Sequence, residues 1–336
     1  MVTYLLRRAL LAASAVVAIS FVAFLTFGLS FDPTYPLRIS PDQKPRQVVL
    51  HAYHLSDPIL SRYWRWLSGI PTHGFGTTVS LQTTGSPLRL ASPGDPIGPA
   101  IWHAAGISAE LIAFALVLTV IGSVVVGVYS ARRPYARFDA PRLLTYVAAS
   151  MPTFLIAYLL RRAVVGPVQF TFVNGVVQIG QHGAFLVGPP TGGLVDWFQH
   201  MTLPAVALAL GLIGVYSRYV RTAMLVSLGE QYTTVARAKG LPERRVVFRH
   251  ALRNSLVPFT SLLSLEMGAV VGASLAADAV FGLGGLAGTF LGGLAQADPF
   301  EMTALVVVIA VVVSAFLIAS DLLVGVLDPR TRVTAA

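Results

Sequence analysis

Three carboxylates fall within apolar stretches of this 336-residue chain: Glu110, Glu266 and Asp321. An ionisable side chain inside such a stretch marks an ion or proton pathway by default, and three of them could form a relay. They sit on different apolar segments and at different depths, so pairing with a neighbouring helix or a boundary arginine is the competing reading. Nucleotide chemistry would need a Gly-Lys-Ser/Thr phosphate loop. The two lysines, Lys44 and Lys239, follow Gln43 and Ala238, not glycine. Gly282, Gly284 and Ala287 mimic the spacing of a dinucleotide fingerprint, but they lie between two apolar segments, where a turn or re-entrant connection explains them. With no cysteine there is no disulfide, thiolate metal site or thiol nucleophile. His51 and His54 stand three apart, and two imidazoles do not make a metal site. No catalytic residue, metal or bound cofactor is expected of this chain.

The elements that carry these residues follow from composition. Hydrophobic residues make up 55% of the chain and charged ones 12%, with a mean hydropathy of +0.70. An ordinary soluble domain carries about 25% charged residues. A soluble enzyme with a solvated surface and a disordered chain are both excluded. Six apolar segments are long enough to cross about 30 Å of hydrocarbon as helices: about 9–31, 107–130, 143–160, 203–219, 256–277 and 303–327. They are continuous runs, not ten-residue alternating ones, which favours a helical bundle over a barrel. Pro152 and Pro204 interrupt or open the third and fourth. The expected organisation is an N-terminal helix over 1–31, an extracytoplasmic loop or small subdomain over 32–101, and a five-helix core over 102–336. Arg7 and Arg8 precede an apolar core too long for a signal peptide, and no small-residue cleavage pattern precedes Asp32, so the first helix is expected to stay.

Basic residues orient the bundle. With the N-terminus cytoplasmic, sixteen of the 24 basic residues fall on that side, eight of them around one loop. Both termini are then cytoplasmic, and the net charge of +9 reports cytoplasmic loops rather than nucleic acid. In the long outer loop, Tyr63, Trp64 and Trp66 fit an amphipathic helix at the membrane interface or a docking surface for an outside partner.

The most informative stretch is 230–256, in the loop after the fourth span. A helix-forming run, Tyr232 to Lys239, breaks at Gly240, and a second run starts at Pro242, where a missing N–H costs nothing. Small residues Ala236 and Ala238 would let a partner approach, and flanking arginines could meet an acidic groove. From the residues alone, a loop that binds anionic lipid is an equal alternative.

Ala236-Arg237-Ala238-Lys239-Gly240-Leu241, then Glu243-Arg244-Arg245 and Arg249-His250-Ala251-Leu252-Arg253-Asn254, resembles the cytoplasmic coupling loop of ABC importer permeases, in the oligopeptide/dipeptide/nickel branch. Leu203-Pro204-Ala205, Ser217-Arg218 with Arg221, and Leu327-Asp328-Pro329-Arg330 extend the likeness, as do Arg62-Tyr63-Trp64-Arg65-Trp66-Leu67 and Phe75-Gly76-Thr77 in the outer loop. Two features depart from the pattern. Thr234 and Val235 replace a basic residue and threonine, and Phe281-Gly282-Leu283-Gly284-Gly285-Leu286-Ala287 replaces Phe-x-x-Pro-Gly-Leu-Gly. Arg161 and Arg162, after the third span, are also atypical.

The resemblance implies the type I ABC importer permease architecture, all-α with six transmembrane helices, in the bacterial plasma (inner) membrane. It implies a second homologous permease subunit, two cytoplasmic ATPase subunits or one fused ATPase that bind ATP and Mg, and an extracytoplasmic substrate-binding protein. Val235, Ala236, Arg237, Ala238, Lys239, Gly240, Leu241, Glu243, Arg244, Arg245 and Phe248 would couple to the ATPase. Asp278, Phe281, Gly284 and Gly285 would form an outer gate. Peptides or a similar small solute would be the cargo. A proton-coupled secondary transporter built on Glu110, Glu266 and Asp321 is the alternative.

Overall fold

A computed structural model describes residues 2–34, 44–79, 96–133, 140–165, 169–173, 176–180, 185–265 and 267–327. Among the described residues, four helices are long and apolar enough to cross a membrane: α1 (Val2–Ser30), α4 (Ile97–Arg132), α7 (Leu194–Gly229) and α12 (Pro299–Leu327). Two interrupted pairs raise the number to six if each counts as one span. The chain divides into two compact units, one formed by 110–283 and the chain from 316 on, the other by 2–109 and 284–315.

In the first unit, the expected third span is not a straight helix. It is α5 (Ala140–Ser150) and α6 (Thr153–Leu160), bent by 111° at Met151 and Pro152 and ending in a π turn, Arg161–Val165. Proline removes a donor and drives the residue before it out of the helical region, and Pro152 itself is extended at φ −59, ψ 141. Pro204 behaves differently. It lies inside α7, which begins nine residues before the expected span and ends ten after it. At about 1.5 Å per residue, its 36 residues reach about 54 Å, well past the hydrocarbon. Asp196 holds the start of α7 by accepting the N–H groups of Thr191 and Gly192 at 2.6 and 3.1 Å.

Small residues let α7 pack closely. A Cβ on Gly214 would stand 2.4 Å from the Thr145 carbonyl oxygen and 2.8 Å from the Ala149 Cβ, and one on Gly127 would stand 3.0 Å from the Ser217 carbonyl. Membrane helices associate this way because lipid supplies no hydrophobic drive between them. The outward faces are aliphatic: Val117, Ile121 and Val125 of α4, four apart, are each more than half exposed, while Thr119 and Ser123 are buried. That inversion of the soluble pattern is what a lipid or subunit environment requires.

Helical residues also cover the expected fifth span. It runs as α9 (Leu252–Leu265) and α10 (Met267–Phe281), and Glu266 lies outside the described residues. The unit is helical as expected and carries one short hairpin beside its helices. Strands β1 (Gln169–Val173) and β2 (Val176–Gly180) form an antiparallel hairpin pairing Val173 with Val176. The residues between them in sequence are Asn174-Gly175, the pair most favoured in two-residue hairpin turns.

In the second unit, the loop expected to lie outside contains α2 (Lys44–Ala52) and α3 (Ile59–His73). The aromatic cluster of α3 divides. Tyr63 and Trp66 are buried, and Trp64 is exposed. Tyr63 packs edge-on to Phe21 and Phe24 of α1 and shares a 2.9 Å hydroxyl hydrogen bond with Ser20, while the Trp66 indole N–H donates to the Phe75 carbonyl. The amphipathic-helix reading therefore describes α3, with its apolar face on α1.

The same unit holds α11 (Leu286–Gln296), whose first N–H donates to the Ser108 hydroxyl at 2.9 Å. Asp298 caps α12. Its carboxylate accepts the Phe300 and Glu301 N–H groups at 2.9 and 3.2 Å and the Val79 N–H at 2.6 Å. One side chain thus starts a spanning helix and fixes the end of the outer loop.

Candidate functional site

The segment expected to couple to an ATPase is a helix, a glycine corner and a second helical start. Helix α8 (Gln231–Ala238) follows α7 directly, with Glu230 extended between them. Buried Thr233 ties the two together by donating from its hydroxyl to the Leu228 and Glu230 carbonyls at 2.9 and 2.8 Å. At the other end, Gly240 takes φ +75. Its N–H donates to the Arg237 carbonyl, and the Leu241 N–H reaches back to that of Ala236. This is the Schellman closure, which needs a left-handed residue at that position. Pro242 comes one place earlier than expected, at the N-cap, where its carbonyl accepts the Val246 N–H before the turn Glu243–Arg245 and the π segment Val246–Ala251.

Arg237 and Glu243 clamp the corner through two hydrogen bonds, at 3.1 and 3.0 Å. The bond from Arg237 holds the Glu243 carboxyl below its ordinary range, and the same bond raises the Arg237 guanidinium. The Glu243 contribution is present at neutral pH and is lost as pH falls through its lowered pKa. Both side chains are exposed, so the pair contributes at most about 1 kcal/mol.

The corner has distinct inner and outer faces. Thr233, Ala236, Val246, Val247 and Ala251 are buried. Ala236 therefore serves internal packing, and the close approach expected of it passes to exposed Ala238. Val235 and Phe248, half exposed, stand out with Arg237, Lys239, Gly240, Glu243, Arg244 and Arg245, while Leu241 is partly covered. Two apolar knobs ringed by cations suit a groove with an apolar floor and acidic walls.

At the expected outer gate, α10 ends at Phe281. Asp278 and Phe281 are buried, and the Asp278 carbonyl accepts the N–H groups of Gly282 and Leu283. Gly282 takes φ +65 and Gly284 φ +76, while Gly285 is the extended residue that opens α11. Arg161 donates from its guanidinium to the Val280 carbonyl, and the Gly188 N–H donates to the Phe281 carbonyl. A cation is favourable at a helix C-terminus, where carbonyls are left over. Arg161 thus closes the end of α10, a role the sequence left unassigned. Arg161→Gln is expected to speed hydrogen exchange of the Gly282 and Leu283 amides about tenfold, since a hydrogen bond from a charged donor is worth about 1.5–3 kcal/mol. Mass-spectrometric exchange on peptides covering 278–286 reads this, and unchanged rates would show that Arg161 does not hold the corner.

Residues 123–333 match the family model for the binding-protein-dependent transport system inner membrane component. That match covers well over half of the chain. The chain belongs to this family. Across 99% of its length it is 31% identical to the whole of an oligopeptide transport system permease protein, OppB, of Mycobacterium bovis. It is 27% identical to the oligopeptide transport system permease protein AppB of Bacillus subtilis, over 98% of this chain and 99% of that one. The dipeptide transport system permease protein DppB of Lactococcus lactis is 27% identical, over 99% and 100%.

Membership in this family does not favour the proton-driven alternative. Glu110 is exposed and accepts a 2.6 Å hydrogen bond from the Trp197 indole N–H, a helix-to-helix pairing. Glu266 lies outside the described residues, as does the side chain of Asp321 in α12. Among the described residues no three His, Asp or Glu side chains are grouped to hold a metal.

Sequence reasoning passed over Asp298 and the pair formed by partly exposed Asp196 and buried His200, 3.3 Å apart. Both had a signal. Asp298-Pro299 is a capping residue followed by proline at the first helical position, and Asp196 and His200 are four apart on one helix face.

Proposed function

We propose that this chain is the membrane permease subunit of an ATP-driven importer. It forms one half of the translocation pathway, and the segment Gln231–Ala251 docks on a cytoplasmic ATPase. Peptides, or a small solute of similar size, are the cargo. The observation that carries this reading is likeness along nearly the whole chain to proteins whose names are those of peptide permeases. A second homologous permease completes the pathway, and an extracytoplasmic binding protein delivers the solute. ATP and Mg belong to the two ATPase subunits or their fused equivalent, and this chain catalyses nothing itself. The distribution of basic residues supports a multi-pass protein of the bacterial inner membrane with both termini cytoplasmic.

The rigid coupling corner supports a mechanism. Closure of the ATPases on ATP would move the corner as one body, because Thr233 ties it to α7 and the Schellman turn joins α8 to the turn Glu243–Arg245. The bundle would then switch between inward-facing and outward-facing packings, a rigid-body transition. In purification, ATPase subunits are expected to accompany the chain, and uptake by vesicles should need ATP and survive an uncoupler. Transport by the chain alone in liposomes, or collapse of uptake with the proton gradient, would overturn the assignment.

A further inference from the structure

The outer-loop helices carry a constellation that the importer reading leaves unused. Within the second unit, an open cavity of about 380 Å³ is lined by Arg62, Arg65, His54 and His73, with Trp66, Tyr53 and Phe300 supplying aromatic walls. That volume is in the range of small-molecule sites, about 300–1,000 Å³. Four groups able to carry positive charge converge on one hollow.

Arg62 is the telling residue. Its Nε is buried and has no hydrogen-bond partner. Burial, outweighing the opposing pull of Asp57, pushes its pKa below the ordinary value. Its guanidinium lies 6.0 Å from the centre of the Phe24 ring, so one side of it is apolar. The nearby carboxylate is already engaged elsewhere. Asp57 Oδ2 takes the hydrogen bond of Arg65 at 2.9 Å, and the His54 ring nitrogen stands 3.6 Å from the same oxygen. A guanidinium half removed from water with a donor unmet is costly to keep, and its planar fork suits a carboxylate better than a lysine would. The backbone at the rim is also held in unusual shape: His54 takes φ +52, Gly74 +63 and Gly76 +91. Of the three only His54 is not glycine, so only there does the left-handed conformation carry strain, and such residues gather at ligand sites.

We propose that this cavity binds a small solute bearing a carboxylate beside an apolar body. Arg62 donates to the carboxylate from its guanidinium, the imidazoles of His54 and His73 flank it, and the apolar body rests on Trp66. Arg65, held by Asp57, contributes less. The inference does not depend on the importer reading, because it concerns a site on this chain alone.

The test is equilibrium binding of radiolabelled N-acetylphenylalanine to the purified full-length chain in phosphatidylcholine nanodiscs. Saturable binding is expected, competed by unlabelled probe and not by N-acetylphenylalanine amide. Arg62→Gln should weaken it about tenfold or more, the equivalent of one charge-assisted hydrogen bond, while Arg62→Lys retains part of it and Arg65→Gln has a smaller effect. Unchanged melting of Arg62→Gln shows that the loss is one of binding; if that variant unfolds, the Arg62→Lys comparison and the amide competition still decide. Equal competition by the amide or by inorganic phosphate, or binding that ignores Arg62, would overturn the proposal, as would no saturable binding.

Discussion

Replacing Gly240 with valine is expected to abolish solute-stimulated ATP hydrolysis by the assembled transporter, while membrane insertion stays intact. The cause is backbone conformation, not crowding. A Cβ on Gly240 would meet no atom within 4 Å, but the residue sits at φ +75. The left-handed region costs an ordinary residue about 1–2 kcal/mol, and a β-branched one more. Valine would therefore open the Schellman turn, which frees the Leu241 N–H from the Ala236 carbonyl and swings Glu243 away from Arg237. Asparagine visits the left-handed region readily, so Gly240→Asn is expected to keep most of the stimulated hydrolysis. Reconstituted complexes assayed with and without solute check both variants. Full stimulation in Gly240→Val would remove the corner from the coupling mechanism.

Gly214→Ala is expected to be the most destabilising single-methyl change in α7. Its Cβ would come within 2.4 Å of the Thr145 carbonyl oxygen and 2.7 Å of the Ala149 nitrogen. These are backbone atoms of α5, so no rotamer change can make room. The helices must separate, at a cost of about 1–3 kcal/mol or more. Gly272→Ala is the control, because nothing lies within 4 Å of its added Cβ and alanine favours the helix by about 1 kcal/mol. Melting of the two purified variants in one detergent should show Gly214→Ala well below the parent and Gly272→Ala at or above it. A melting point for Gly214→Ala equal to the parent would contradict the close packing of α5 on α7.

Apolar length announces a spanning helix, and α1, α4 and α12 were legible for that reason. Where a helix bends was only half legible. Pro152 and Pro204 read alike in the sequence, yet one breaks its segment by 111° and the other sits inside a continuous helix. The two differ in burial, Pro204 being buried inside α7 and Pro152 exposed. The corner at Gly240 was legible because Gly240 and Pro242 are local conformational signals. The inward orientation of Ala236 was not, because an alanine suits an internal contact and a partner contact equally. The hairpin of β1 and β2, with Asn-Gly between its strands in the sequence, and the cap at Asp298 had plain local signatures that six apolar runs overshadowed. The Arg161 contact with Val280 joins residues 119 apart in sequence, a pairing that local signals do not reveal.

The central claim is that the exposed face of Gln231–Ala251 meets an ATPase. The chain has no cysteine, so single cysteines at Val235 and Phe248, both half exposed, can carry a photoactivatable cross-linker without background. In the assembled transporter, both positions are expected to cross-link to an ATPase subunit, with yields that change when ATP binds. Cross-linking at both positions to lipid alone, with none to an ATPase in any nucleotide state, would contradict the account.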